Sequence, residues 1–231
     1  MSQLVLVRHG QSQWNLENRF TGWVDVPLTS KGEQEAQAAG QILKKHNLQF
    51  DCAYTSYLQR AIRTLNFILE GTEQSWIPVF KDWRLNERHY GGLQGLNKQE
   101  TRDKYGDDQV FEWRRSYSVA PPEASGPLQE AQMKDRRYAG LGDKLPKGEA
   151  LKHTLERVQP YWESQIKASL QKSPDSSVLV VAHGNSLRAL VKILTKMSEE
   201  EITSFEFETG VPLLIKLGPD LSVTSQEWLK S

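Results

Sequence analysis

The order of apolar and polar positions divides the chain into short β-branched runs and longer stretches of helical period. Gln3–Val7 is a short apolar run closed by Gly10, and it reads as a buried strand. Leu28–Glu33 offers a helix start, with Ser30 as cap and Glu33 three residues on. The Ala-, Gln- and Lys-rich segment Glu35–His46 then sets Ala36, Ala39, Gly40 and Leu43 on one face. Asp51–Thr55 reads as a second strand, and Leu58–Leu69 as a helix with Leu58, Ile62, Leu65 and Leu69 in phase. Ile77–Phe80 suggests a third strand.

Beyond residue 84 the pattern loosens. Residues 84–97 and 117–148 carry Gly, Pro and charge without sustained period, so they read as long excursions on one side of a core. Lys98–Tyr117 between them is expected to be helical. Glu149–Gln171 has a long helical pattern that Pro160 should end or kink. Ser177–Ala182 is the clearest strand, followed by a helix over Asn185–Met197 and a late strand over Val211–Leu217. No internal repeat or low-complexity linker interrupts this order. Strands alternating with helices imply an α/β fold of three layers, a mainly parallel sheet flanked by helices. The expectation is one catalytic domain over residues 1–231, with excursions at about 84–117 and 117–148 over the site.

Composition narrows the function classes. At 231 residues and 38% apolar content the chain can bury a core without disulfides or structural metal. Its 29 basic and 29 acidic residues balance, so a nucleic-acid partner is disfavoured and any functional charge must be local. Cys52 is the only cysteine, which fits a reducing compartment and a buried structural thiol. The N-terminal apolar run is too short for a signal peptide, and no stretch approaches the ~18–20 apolar residues of a membrane span. A cytoplasmic protein with neither membrane nor nucleic-acid partner is expected.

Two strand ends carry the chemistry. One strand runs directly into Arg8-His9-Gly10, and another into His183-Gly184-Asn185. In open α/β sheets, ligands bind at the carboxyl ends of strands. Each histidine is followed by a glycine, which would let backbone approach a ligand closely. A lone histidine after a strand is ordinarily structural, but two in the same context point to a site. His9, His89, His183 and Glu87 could in principle form a metal-ligand set. Their neighbours argue otherwise: Arg8, Arg60, Arg88, Arg114 and Arg115 would repel a divalent cation and attract a phosphate.

Arg8-His9-Gly10 resembles the signature of the histidine phosphatase superfamily, whose members phosphorylate that histidine. Arg8–Trp23, Tyr57–Thr64, Leu85–Lys98, Trp113–Arg115 and Val181–Arg188 are similar to the cofactor-dependent phosphoglycerate mutase family, in family order. The resemblance implies that family's fold, interconversion of 2- and 3-phosphoglycerate in glycolysis and gluconeogenesis, and priming by 2,3-bisphosphoglycerate without a metal. It also implies a homo-oligomer, dimer or tetramer.

Residue by residue, the resemblance makes His9 the phosphoryl carrier and Glu87 the general acid/base. Arg8, Arg60 and His183 would stabilise the moving phosphoryl group, an assignment that suits a reaction governed by positioning and charge. The substrate site would further include Gly10, Gln11, Ser12, Gln13, Trp14, Asn15, Thr21 and Gly22 from the first motif. From the later motifs it would include Arg88, His89, Tyr90, Lys98, Arg114, Arg115, Gly184 and Asn185. His89 is expected to orient its neighbours rather than react. His46 and His153 fall outside every motif and read as ordinary surface residues, while Ala150 stands where serine is frequent in the family. The alternative is a histidine-type phosphatase acting on small phosphorylated metabolites. The presence of His9, Glu87 and His183 together argues against a non-catalytic phospholigand-binding protein.

Overall fold

Continuous burial explains the central strands. In β1 (Ser2–Arg8), Leu4 and Leu6 pack into one apolar cluster while Val5 and Val7 pack into a second on the opposite face. Both faces of β1 are therefore covered, which is why its sequence is uninterrupted rather than alternating. The structure, a computed structural model, describes residues 1–230. The other strands are β2 (Cys52–Thr55), β3 (Val79–Lys81), β4 (Ser177–Ala182), β5 (Pro212–Leu217) and β6 (Val223–Trp228). They form one sheet in the order β3-β2-β4-β1-β5-β6. The β3, β2, β4 and β1 neighbours run parallel, and β5 and β6 add antiparallel at one edge.

The helices are α1 (Gln13–Leu16), α2 (Ser30–Lys45), α3 (Gln59–Gly71), α4 (Lys98–Tyr105), α5 (Asp107–Arg115) and α6 (Pro127–Met133). They continue with α7 (Leu151–Tyr161), α8 (Lys167–Leu170), α9 (Gly184–Thr195) and α10 (Glu199–Ser204). Ala39 and Leu43 of α2, with Leu65, Ile68 and Leu69 of α3, fill the cluster on the Val5 face. Leu151 and Val158 of α7, with Leu187 and Leu190 of α9, fill the cluster on the Leu4 face. This is the three-layer, mainly parallel arrangement expected from the sequence. Cys52 is buried within it. No helix among the described residues is long and apolar enough to cross a membrane.

Local chemistry shifts several boundaries. Thr29 rather than Ser30 caps α2, because its hydroxyl accepts from the Gly32 N–H at 3.1 Å. The single helix expected over Lys98–Tyr117 is two, broken where Gly106 adopts φ +83°. α7 ends at Tyr161, one residue past Pro160, and the chain passes into a π-helical turn over Trp162–Ile166, where the Ser164 hydroxyl donates to the Pro160 carbonyl at 2.7 Å. With Ala150 at the start of α7, His153 supplies the cap: its Nδ1 accepts from the Ala150 N–H at 3.0 Å. His153 is therefore half-buried and structural, whereas His46 is exposed as expected. The sequence pattern gave no warning of β6 or α10. Residues 223–226 of β6 alternate weakly, and that strand is mostly exposed at the sheet edge.

Candidate active site

Parallel pairing of β1 with β4 places Arg8 opposite Ala182, so His9 and His183 leave the sheet side by side. The His9 N–H donates to the Ala182 carbonyl at 3.0 Å, and the two imidazole rings meet edge to face with centroids 4.9 Å apart. His9 Nδ1 lies 2.7 Å from the Gly10 carbonyl. A carbonyl only accepts, so Nδ1 carries the proton and Nε2 keeps its lone pair. Burial, followed by the charges of Arg60 and Arg8, holds the His9 pKa well below the ordinary imidazole value, with the Gly10 contact opposing. Near neutral pH the ring is neutral, and the Nε2 lone pair accepts a long hydrogen bond from Arg60 Nε. His183 is depressed likewise, by burial first and then by Arg60 and His9. Its Nε2 pairs with the Ser56 hydroxyl at 2.7 Å, and its buried Nδ1 has no partner among the described residues.

Arg60 is fixed by geometry rather than by a carboxylate. Its Nη1 donates to Val24 O at 3.0 Å and its Nη2 to Gly22 O at 2.7 Å. These bonds present Nε 3.4 Å from His9 Nε2. Burial brings its pKa down to about 10, which leaves it cationic. Buried Thr64, one turn along α3, accepts from the Gly10 N–H and so ties the same helix to the His9 loop.

Glu87 is fixed from two sides. Its Oε1 accepts from the Arg88 N–H at 2.8 Å, the Asn185 N–H at 3.1 Å and Asn185 Nδ2 at 2.9 Å. Its Oε2 faces the start of α9. A methyl group built on Gly184 would lie 3.8 Å from that oxygen and 3.9 Å from Arg8 Nε. Arg8 Nε is buried and has no partner among the described residues. A carboxylate oxygen and an unsatisfied guanidinium donor thus flank one space at a helix N-terminus, where an anion is favoured.

A buried ion pair that the sequence did not reveal supports this loop. Arg157 donates to both carboxylate oxygens of Glu149, at 2.7 and 2.9 Å. Its other bonds reach the carbonyls of Arg84, Asn86 and Glu87. Glu149 also accepts from the His89 N–H at 2.8 Å. Burial opposes ionisation of Glu149, but Arg157 outweighs it and the pKa lies below the usual value.

The cavity above these groups has a volume of about 200 Å³, which suits a compact metabolite. The sequence assigned Arg8, His9, Asn15, Thr21, Gly22, Arg60, Glu87, Tyr90, Lys98, Arg114, Arg115, Gly184 and Asn185, and all of them line it. Arg19, Phe20, Arg188, Glu206 and Phe207 line it as well and were not singled out. Arg188 and Arg19 lay inside the quoted motifs without a role, whereas Glu206 and Phe207 had no motif to mark them. Seven cations and two carboxylates face this space among the described residues, so the neutral chain concentrates positive charge here.

Other assigned residues shape the site from outside it. Gly10 packs closely against protein, since a methyl group there would sit 2.1 Å from Gly32 O. The Gln11 amide and side chain bind Glu35 and Thr29. Ser12 caps α1, and Gln13 reaches Glu17 on the surface. Trp14 lies over Gly95. None of these five lines the cavity. Arg88 is buried beside it, donating to Arg114 O and stacking over Tyr90 at 4.7 Å. His89 turns toward Gln132 and accepts from the Gly91 N–H, so it does not join His9, His183 and Glu87 as a ligand set. Among the described residues no cluster of His, Cys, Asp or Glu is placed to hold a metal ion.

Comparison with known proteins agrees with this geometry. The profile of the histidine phosphatase superfamily (branch 1) matches residues 4–142 and 128–220. A 2,3-bisphosphoglycerate-dependent phosphoglycerate mutase 2 of Lactiplantibacillus plantarum is 54% identical over 230 residues, covering 99% of each chain. The corresponding mutase of Zymomonas mobilis is 55% identical over 229 residues, again covering 99% of each. Among solved structures, a mycobacterial glucosyl-3-phosphoglycerate phosphatase complexed with VO3 superposes with a TM-score of 0.74 at 24% identity. That alignment covers 99% of this chain and 98% of the other. At that identity the likeness speaks for the fold, whereas relatives above half identity speak for the family. The chain belongs to the histidine phosphatase superfamily and, within it, to the family of 2,3-bisphosphoglycerate-dependent phosphoglycerate mutases.

Proposed function

We propose that this protein interconverts 2-phosphoglycerate and 3-phosphoglycerate through a phosphohistidine on His9. The observation that carries the reading is the His9 tautomer: Nδ1 is spent on Gly10 O, and Nε2 keeps its lone pair, which accepts a long 3.4 Å hydrogen bond from Arg60 Nε. A phosphoryl group moves from Nε2 to one hydroxyl oxygen of the substrate as the N–P bond breaks and an O–P bond forms. A second phosphoryl group returns from the neighbouring oxygen to Nε2. Glu87 takes the proton from the attacked hydroxyl and gives it to the departing oxygen, as general base and then acid. Arg8, Arg60 and His183 hold the phosphoryl oxygens, and the Nδ1 of His183 is a donor once the Ser56 hydroxyl donates to its Nε2.

Lys98, Arg114 and Arg115 also line the cavity and are assigned to the substrate's second anionic group. The same residues fit 2,3-bisphosphoglycerate, because the unpartnered Arg8 donor and these three cations provide for two phosphates. When bound, that molecule supplies the phosphoryl group that first loads His9. A simple phosphatase needs no second anion wall, which favours the mutase over the phosphatase reading.

A coupled assay with 3-phosphoglycerate and excess chelator, with and without 2,3-bisphosphoglycerate, tests this. Chelator-insensitive 2-phosphoglycerate formation, stimulated by the bisphosphate, is expected. Release of inorganic phosphate without isomerisation would replace the mutase by a phosphatase.

A further inference from the structure

Glu206 and Phe207 line the cavity, and the segment Phe205–Phe207 engages three of its guanidinium groups. Arg188 Nε donates to the Phe205 carbonyl, and Arg8 Nη1 donates to the Phe207 carbonyl at 2.9 Å. Between them, the Glu206 carboxylate receives a hydrogen bond from Arg115 and lies 4.0 Å from Arg188. Arg115 hydrogen bonding comes first among the causes that hold the Glu206 carboxyl below its usual range, so it is charged near neutral pH. Glu87, the other carboxylate of the cavity, is committed to three N–H donors and to proton transfer. Glu206 has no such task. It places negative charge in a pocket whose other charged lining residues are mostly cations.

We propose that Glu206 is a built-in competitor anion that occupies Arg115 in the free site and disfavours the bisphosphate relative to the monophosphate. The inference rests on the phosphoglycerate reading given above. A ligand anion can use Arg115 only by exchanging with the Glu206 carboxylate or by sharing the guanidinium with it. The pair is partly exposed, so the exchange is easy and costs little. The remaining repulsion scales with ligand charge. A second phosphate adds nearly two negative charges, so 2,3-bisphosphoglycerate is penalised more than 3-phosphoglycerate. Glu206 thereby keeps the priming ligand from saturating a site that must turn over the singly phosphorylated one. Glu206→Gln retains the shape and an oxygen acceptor for Arg115 while removing the charge.

Binding of 3-phosphoglycerate and of 2,3-bisphosphoglycerate is to be measured by titration calorimetry in a His9→Ala parent, where no transfer occurs, and in His9→Ala/Glu206→Gln. The added substitution is expected to tighten the bisphosphate by about two- to fivefold, the scale of an exposed ion pair. The monophosphate should tighten by less, and both gains should shrink as salt is raised. Equal tightening of the two ligands, no tightening, or weaker bisphosphate binding would overturn the proposal. A His9→Ala parent that binds neither ligand would overturn the functional reading and this inference with it.

Discussion

His9 and His183 meet edge to face at 4.9 Å because Arg8 and Ala182 are register partners in adjacent parallel strands. Both rings are buried beside Arg60 and Arg8, and both are held neutral well below the ordinary imidazole value. In the unfolded chain each takes up a proton near pH 6.5. The unfolded state therefore binds more protons below that value, so the contribution of these histidines is full above about pH 6.5 and falls as pH drops below it. Urea midpoints at about pH 7.5 and about pH 5.5 should fall more for the wild type than for His183→Asn. Equal falls would mean that the buried histidines do not drive acid sensitivity.

Gly184 marks the space between Glu87 Oε2 and Arg8 Nε. A methyl group there meets both at ordinary van der Waals distance, 3.8 and 3.9 Å, so Gly184→Ala should fold. It should also occupy the room that the reacting groups require. A fall in kcat of about 100-fold, with an unchanged melting temperature, is expected. Near-wild-type turnover would place the chemistry elsewhere.

Gly10 behaves differently. Its added methyl group would meet the Gly32 carbonyl oxygen at 2.1 Å, a backbone clash that no rotamer relieves. Gly10→Ala should cost about 3 kcal/mol or more in denaturant unfolding. A stable variant with impaired ligand binding would instead assign Gly10 to the ligand.

Arg157 and Glu149 form a buried pair that also holds the carbonyls of the Asn86–Glu87 segment. Removing one partner leaves an uncompensated charge, so Arg157→Met should lose about 3–5 kcal/mol. Arg157→Met/Glu149→Met should recover part of that stability. Its kcat should stay low, because the backbone carbonyls of Asn86 and Glu87 lose the guanidinium that positions them. Recovery of kcat along with stability would show that the pair supports the fold alone.

These contrasts mark what was legible in the sequence. β1 and β4 were readable because both faces are buried, and their ends carried His9 and His183 to one edge by parallel pairing. The motifs also located Arg60 and Glu87. The packing role of Gly10 was not legible, because its partner is the Gly32 backbone carbonyl 22 positions away, which leaves no side-chain signal. Glu206 meets Arg115 across 91 positions, which periodicity does not encode, and the Arg157–Glu149 pair, only eight positions apart, is defined by the backbone carbonyls that Arg157 reaches in the distant 84–87 segment. Gly106 split a helix through a positive φ, and the polar edge strand β6 lacked the alternation that marks a half-buried strand.

The central claim is that His9 Nε2 carries the phosphoryl group. Its most direct test is intact mass spectrometry of the protein after brief exposure to 2,3-bisphosphoglycerate, with peptide mapping and a His9→Ala control. The expected result is one added phosphoryl group, labile in acid, mapped to His9 and absent from the variant. A phosphoryl group mapped elsewhere, or an unmodified protein that still isomerises phosphoglycerate, would contradict the account.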